Sequence, residues 1–163
     1  MNYFELFGLP MAPTVDKSLL AKKYFELQKK FHPDFFTNES EEEKEKVLQQ
    51  SADINKAFKI FQSTGKTIEY FLQQKGIIAA DEKYNLPPDF LMEMMELNED
   101  LSEEDPELTN QKVAGYEAVL YEEIKPVLLN YDAAIITDAD LQKLKAYHYK
   151  KKYLNRILER LAD

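Results

Sequence analysis

Two histidines, thirty acids and no cysteine bound the chemistry open to this 163-residue chain. Without thiols it can form no disulfide, no thiolate nucleophile and no cysteine-held zinc or iron-sulfur centre of its own. His32 stands in the run Phe31-His32-Pro33-Asp34. There an imidazole and a carboxylate two residues apart could act as an acid/base pair, or could present a donor and an acceptor to another macromolecule. His148, in AYHYKKKY, is the other candidate metal ligand or base. Neither histidine has an evident nucleophile or a second histidine at ligand spacing, and glycine-rich phosphate loops and GxSxG are missing. No catalytic residue, metal or cofactor is therefore assigned. Pro33 stiffens the loop, which suits a recognition element that needs a fixed position more than a shifted pKa.

The elements that hold this tripeptide follow from spacing. Hydrophobic residues make up 44% and charged residues 31%, with four glycines and seven prolines, a composition for a folded all-α protein with long helices. Asn2 to Phe7 makes a short first helix, stopped at Gly8-Leu9-Pro10. Asp16 caps a second helix, on which Leu20, Tyr24, Leu27 and Phe31 form one apolar stripe. Lys22 and Lys29 fall opposite that stripe, with Lys23 and Lys30 on its flank, and Asp16 to Phe31 carries a local net charge of +3. A polar stretch from Thr37 to Lys46 leads into a third helix with Val47, Ile54, Phe58 and Phe61 on its buried side and Gly65 as its stop. Helices two and three are expected to pair antiparallel, with His32-Pro33-Asp34 at the hairpin tip.

From Lys66 to Gln74 a short helix closes at Gly76, and a loop ends at Leu86-Pro87-Pro88. Three further helices, near 89–104, 107–131 and 138–161, predict a three-helix bundle, with a kink or early end near Lys125 before Pro126. Phe90, Met94, Leu97 and Leu101 gather on the core side of the first of these. Met92, Glu96, Glu99 and Glu103 take the opposite side, flanked by Leu91 and Met95. Two readings of that face stand: an apolar strip beside an acidic one that binds a partner, or methionines packed on the N-terminal part with solvated acids. Residues 93–107 hold eight acids and no base, so a basic partner would be attracted at long range. The last helix is basic from Lys143 to Arg156, which predicts charge pairing with the acidic helix inside the bundle.

The series YFELFGLP, KKYFELQKKFHPD and Ile54-Asn55-Lys56-Ala57-Phe58 resembles the J-domain of DnaJ-type co-chaperones from residue 2 to about 65. The resemblance implies that the cationic face of helix two (Lys22, Lys23, Lys29 and Lys30) and the tip (His32, Pro33 and Asp34) dock on a DnaK-type chaperone and stimulate its ATP hydrolysis. The run QQSADINKAF and above all FLMEMMELNEDL at residues 90–101 look like the HscB family of iron-sulfur cluster assembly. That likeness implies a partner chaperone HscA and a scaffold protein IscU, the latter bound through Leu91, Met92, Met95, Glu96, Glu99 and Glu103. An aromatic in the last helix is implied to touch the scaffold as well, with Ala146 and Tyr147 both open as the matching position. The expected architecture is a J-domain over 1–65, a connecting helix and linker over 66–88, and a scaffold-binding three-helix bundle over 89–163.

Net charge is −9, of which −1 falls on residues 1–65 and −8 on 66–163, so the two parts are expected to face different partners and nucleic acid is disfavoured. Neither a basic-then-apolar leader nor an eighteen-residue apolar run occurs, which predicts a cytoplasmic protein with no membrane partner. A J-domain adaptor for a different client, such as a general holder of unfolded proteins, is the alternative, and an enzyme ranks below both.

Overall fold

The computed structural model describes residues 1–103 and 105–162, and the side chains of all of these except 101–103, 161 and 162. The described residues contain helices and no strand, and they form two compact units, Met1–Phe71 and Leu72–Asp163.

The first unit opens with α1 (Tyr3–Leu6), a single turn made stable by reciprocal capping. The Asn2 side chain accepts from the Glu5 N–H at 2.9 Å, and the Glu5 carboxylate accepts from the Asn2 N–H. Gly8 then turns the chain at a φ of +63°, a left-handed conformation that suits glycine. Helix α2 (Lys17–Phe31) begins where Asp16 accepts from the Leu19 N–H at 3.0 Å. It ends at His32, which is extended (φ −67°, ψ 129°) because the following proline disfavours helical geometry there. A 3-10 turn (Pro33–Phe36) leads to α3 (Glu41–Gln62).

Helix α3 starts earlier than its sequence suggested. Its first turn is Glu41-Glu42-Glu43, part of the stretch expected to be a lead-in, and Ser40 caps it by accepting from the Glu43 N–H at 3.2 Å. Three carboxylates at the positive end of the helix dipole favour this start. Gly65 is not the stop. The helix ends at Ser63, whose extended backbone breaks it, and the Ser63 side chain then accepts from the Lys66 N–H at 3.2 Å to start α4 (Thr64–Gln74). Gly65 lies inside α4, and Gly76, at a φ of +70°, follows its end.

Helix α2 packs on α3, and α1 on the far part of α3. Phe4, Phe7, Leu20, Ile54, Ala57, Phe61 and Ile68 are at most 1% exposed, each of the large ones supplying about 1.5–3 kcal/mol of burial. The Lys17 amine donates to the Phe61 carbonyl at 2.7 Å, covering an end carbonyl of α3, and burial lowers the Lys17 pKa.

The second unit is a three-helix bundle of α5 (Pro88–Glu103), α6 (Pro106–Leu129) and α7 (Asp138–Ala162), each packed on the other two. Phe90, Met94, Leu97, Leu120, Ile124, Leu144, Tyr147, Leu154 and Ile157 form its interior. Helix α6 does not end at Lys125 but continues through Pro126 to Leu129. Pro126 stands in the last turn, where its carbonyl still accepts from Asn130 at 3.1 Å, so only one backbone bond is forfeited.

Candidate functional site

The tip of the α2/α3 hairpin carries His32, Pro33 and Asp34. His32 Nδ1 accepts from the Asp34 N–H at 3.2 Å, so the imidazole caps the 3-10 turn whose first residue is Pro33. A nitrogen that accepts from an amide has no proton, which places the proton of the neutral ring on Nε2. The neutral ring thus has one nitrogen engaged with the loop backbone and an N–H left to offer, and its side chain is 46% exposed. The Asp34 carboxylate, 86% exposed, lies 3.5 Å from Nδ1 through Oδ2 and is free to accept from a cation on another molecule.

Behind the tip, α2 and α3 are fastened by side chains. Tyr24 stacks on Phe58 with ring centroids 3.9 Å apart, and its hydroxyl donates to Asn55 Oδ1 at 2.8 Å. Gln28 Nε2 donates to the same oxygen at 3.0 Å. Phe58 is therefore half-buried in a stack rather than enclosed like Val47, Ile54 and Phe61. The Ile54-Asn55-Lys56-Ala57-Phe58 run aligns one helix against the other, a role its sequence did not disclose.

Lys22, Lys29 and Lys30 are exposed and Lys23 is half-buried. Lys29 Nζ lies 4.7 Å from the centre of the Phe25 ring and Lys30 Nζ 5.3 Å from that of Phe31. Lys29 and Lys30 stand in the last turn of α2 beside the tip tripeptide, whereas Lys22 and Lys23 lie further back along the helix, Lys23 on the side of the Gly8 turn.

In the second unit, Phe90, Met94 and Leu97 are buried while Met92 and Met95 are 63% and 62% exposed. Glu96 and Glu99 are exposed and Leu91 is half-buried. The methionines are not packed away, so the described part of the expected binding strip is an accessible surface. The Glu103 side chain lies outside the described residues. Tyr147 is buried, its hydroxyl pKa raised first by that burial, whereas Ala146 is half-buried.

The basic helix α7 pairs differently from expectation. Lys150 meets Glu123 at 3.3 Å and Lys151 meets Glu117 at 2.7 Å, both on α6, and Lys145 meets Glu82, in the loop before α5, at 2.6 Å. Of the α5 acids, Asp100 pairs with Lys112 of α6 at 3.1 Å. Helix α6 lies within reach of both neighbours and offers its own carboxylates, and Glu96 and Glu99 of α5 are exposed. The Glu82 carboxylate is held below the usual range, first by Lys145 and then by the Tyr149 hydroxyl, which donates to it at 2.7 Å. Among the described residues no cluster of His, Asp and Glu could hold a metal ion, and no helix is long and apolar enough to cross a membrane.

Residues 86–162 match the family described as the HSCB C-terminal oligomerisation domain. A co-chaperone protein HscB homolog of Shewanella halifaxensis is 35% identical across the full length of both chains. One of Vibrio vulnificus (strain YJ016) is 44% identical over 104 residues, which are 63% of this chain and 61% of that relative's length. Among solved structures, the chaperone HscB from Vibrio cholerae is 34% identical with a TM-score of 0.65, covering 99% of each chain. Human co-chaperone protein HscB is 26% identical with a TM-score of 0.82, covering 99% of this chain and 81% of that one.

Proposed function

The chain belongs to the HscB family of co-chaperones, and on that premise we propose that it is a J-protein adaptor of iron-sulfur cluster assembly. In this reading it binds the scaffold protein IscU and delivers it to the DnaK-type chaperone HscA in the cytoplasm, stimulating ATP hydrolysis there and performing no bond chemistry itself. The observation that carries the reading is the tip: an imidazole whose Nδ1 is tied to the Asp34 amide at 3.2 Å, beside a carboxylate left 86% exposed. Such a corner is preorganised, so docking need not order it first. His32 offers an Nε2 donor and Asp34 accepts from a chaperone cation, while Lys22, Lys23, Lys29 and Lys30 steer the encounter and meet carboxylates.

The scaffold is assigned to the α5 strip of Leu91, Met92, Met95, Glu96, Glu99 and Glu103. The exposed thioethers supply an adaptable apolar contact and the carboxylates select a basic rim. The experiment for the first face is ATP turnover by the purified chaperone with wild type and with His32→Gln. Wild type should raise turnover and the variant should not; no rise with wild type would end the co-chaperone reading. For the second face, Met92→Ala with Glu96→Ala should weaken binding of the scaffold while the circular-dichroism spectrum stays unchanged. Equal binding would remove the strip from the account. Suppressed aggregation of unrelated denatured proteins would favour a general holder instead.

A further inference from the structure

Two large aromatic side chains on the hairpin face water. Phe25 is 61% exposed and Phe35 is 68% exposed, and neither helps to build the core of the first unit. Lys22, Phe25 and Lys29 follow one another at spacings of three and four, the periodicity of a single helix face, and Phe35 stands in the 3-10 turn just past the extended His32. Each ring has a polar neighbour: Lys29 Nζ sits 4.7 Å from the Phe25 centroid, and the His32 ring meets Phe35 edge-on at 6.0 Å. The outer face of α2 and the tip thus each present an exposed ring, one beside a lysine and one beside the imidazole, rather than a plain cationic surface.

A cation–π contact at an exposed site is too weak to account for a phenyl ring kept in water. Exposed aromatics bordered by charge are instead suited to protein binding, and desolvated aromatic anchors dominate the energetics of such surfaces. We propose that Phe25 and Phe35 are contact residues for the DnaK-type chaperone, and that its docking surface carries an apolar depression flanked by carboxylates. The carboxylates meet Lys22 and Lys29, and the depression takes the Phe25 ring, so the rings select among chaperones while the lysines accelerate the encounter. This rests on the chaperone-docking reading of the tip.

The discriminating variant is Phe25→Lys, because it raises the positive charge of the face while removing the ring. The measurement is ATP turnover by the purified DnaK-type chaperone as a function of co-chaperone concentration, for wild type, Phe25→Lys, Phe25→Leu, Phe35→Ala and His32→Gln. The expected result is that Phe25→Lys raises the half-saturating concentration about tenfold or more and Phe35→Ala raises it as well. Phe25→Leu, which keeps an apolar side chain, should fall between wild type and Phe25→Lys. Thermal melting should match wild type, since neither ring is buried. If Phe25→Lys docks as tightly as wild type or tighter while His32→Gln has lost stimulation, the face is purely electrostatic and the inference fails with the docking reading intact. If wild type does not stimulate at all, both fall together.

Discussion

Asn55 is the residue whose removal best separates the scaffolding of the tip from the tip itself. Its Oδ1 accepts from both Tyr24 and Gln28, at 2.8 and 3.0 Å, and these two bonds tie α2 to α3 midway along the hairpin. A net hydrogen bond contributes about 0.5–1.5 kcal/mol. Because Asn55 is exposed, water partly replaces what Asn55→Ala removes, so the lower half of that range applies and the two bonds together come to about 1–2 kcal/mol. For a unit the size of Met1–Phe71, that corresponds to a fall of roughly 5–12 °C in its melting midpoint. Residue-resolved amide exchange is the right assay, because it reads the units separately. Amides of α2 and α3 should exchange faster in Asn55→Ala, and those of α5, α6 and α7 should not change. Tyr24→Phe alone should cost about half as much, and combining it with Asn55→Ala should add little, since both remove one shared bond. Unaltered exchange along α2 and α3 would refute the argument that these bonds hold the hairpin in register.

Glu82 has its folded-state pKa below the ordinary carboxylate value, held down by Lys145 and then Tyr149, so its stabilisation is complete above that ordinary value and is lost as pH falls through the folded one. Urea unfolding should therefore show wild type losing more stability than Glu82→Gln on acidification, and parallel pH curves would contradict the assignment. Met94→Ala, at a fully buried site, should cost about 2–5 kcal/mol by chemical unfolding. Met92→Ala, one helix face away and 63% exposed, should stay within about 0.5 kcal/mol of wild type. Lys17→Met should lower stability by about 1 kcal/mol through loss of the bond to the Phe61 carbonyl, measurable as an earlier thermal midpoint.

Local signals were the legible ones. Asp16 as a cap, the end of α2 before Pro33 and the split of α5 into a buried face (Phe90, Met94, Leu97) and an exposed one (Met92, Met95, Glu96) each depend on residues within a turn or two of one another. A sequence pattern is ambiguous where one residue type can serve two purposes. Glu41 to Glu43 read as a polar connection, yet acids at a helix start interact favourably with its dipole. Gly65 read as a terminator, whereas extended Ser63 ends one helix and caps the next. Long-range pairings were out of reach. Spacing could not reveal that Lys150 and Lys151 meet α6 rather than α5, because both helices offer carboxylates and the choice is made by packing. The spacing that sets Lys22 and Lys29 opposite the apolar stripe of α2 sets Phe25 there too, so its exposure was legible, but periodicity alone does not tell an exposed ring in water from a contact residue.

The central claim is that one chain carries two separate docking faces, the hairpin corner for a chaperone and the α5 strip for a scaffold. Amide and side-chain NMR perturbation of the full chain, titrated first with the chaperone and then separately with the scaffold protein, tests it most directly. The account predicts two sets of shifted signals without overlap, residues 22 to 35 with the chaperone and residues 91 to 99 with the scaffold. Perturbation of one common surface by both partners, or silence at His32 when the chaperone is added, would contradict it.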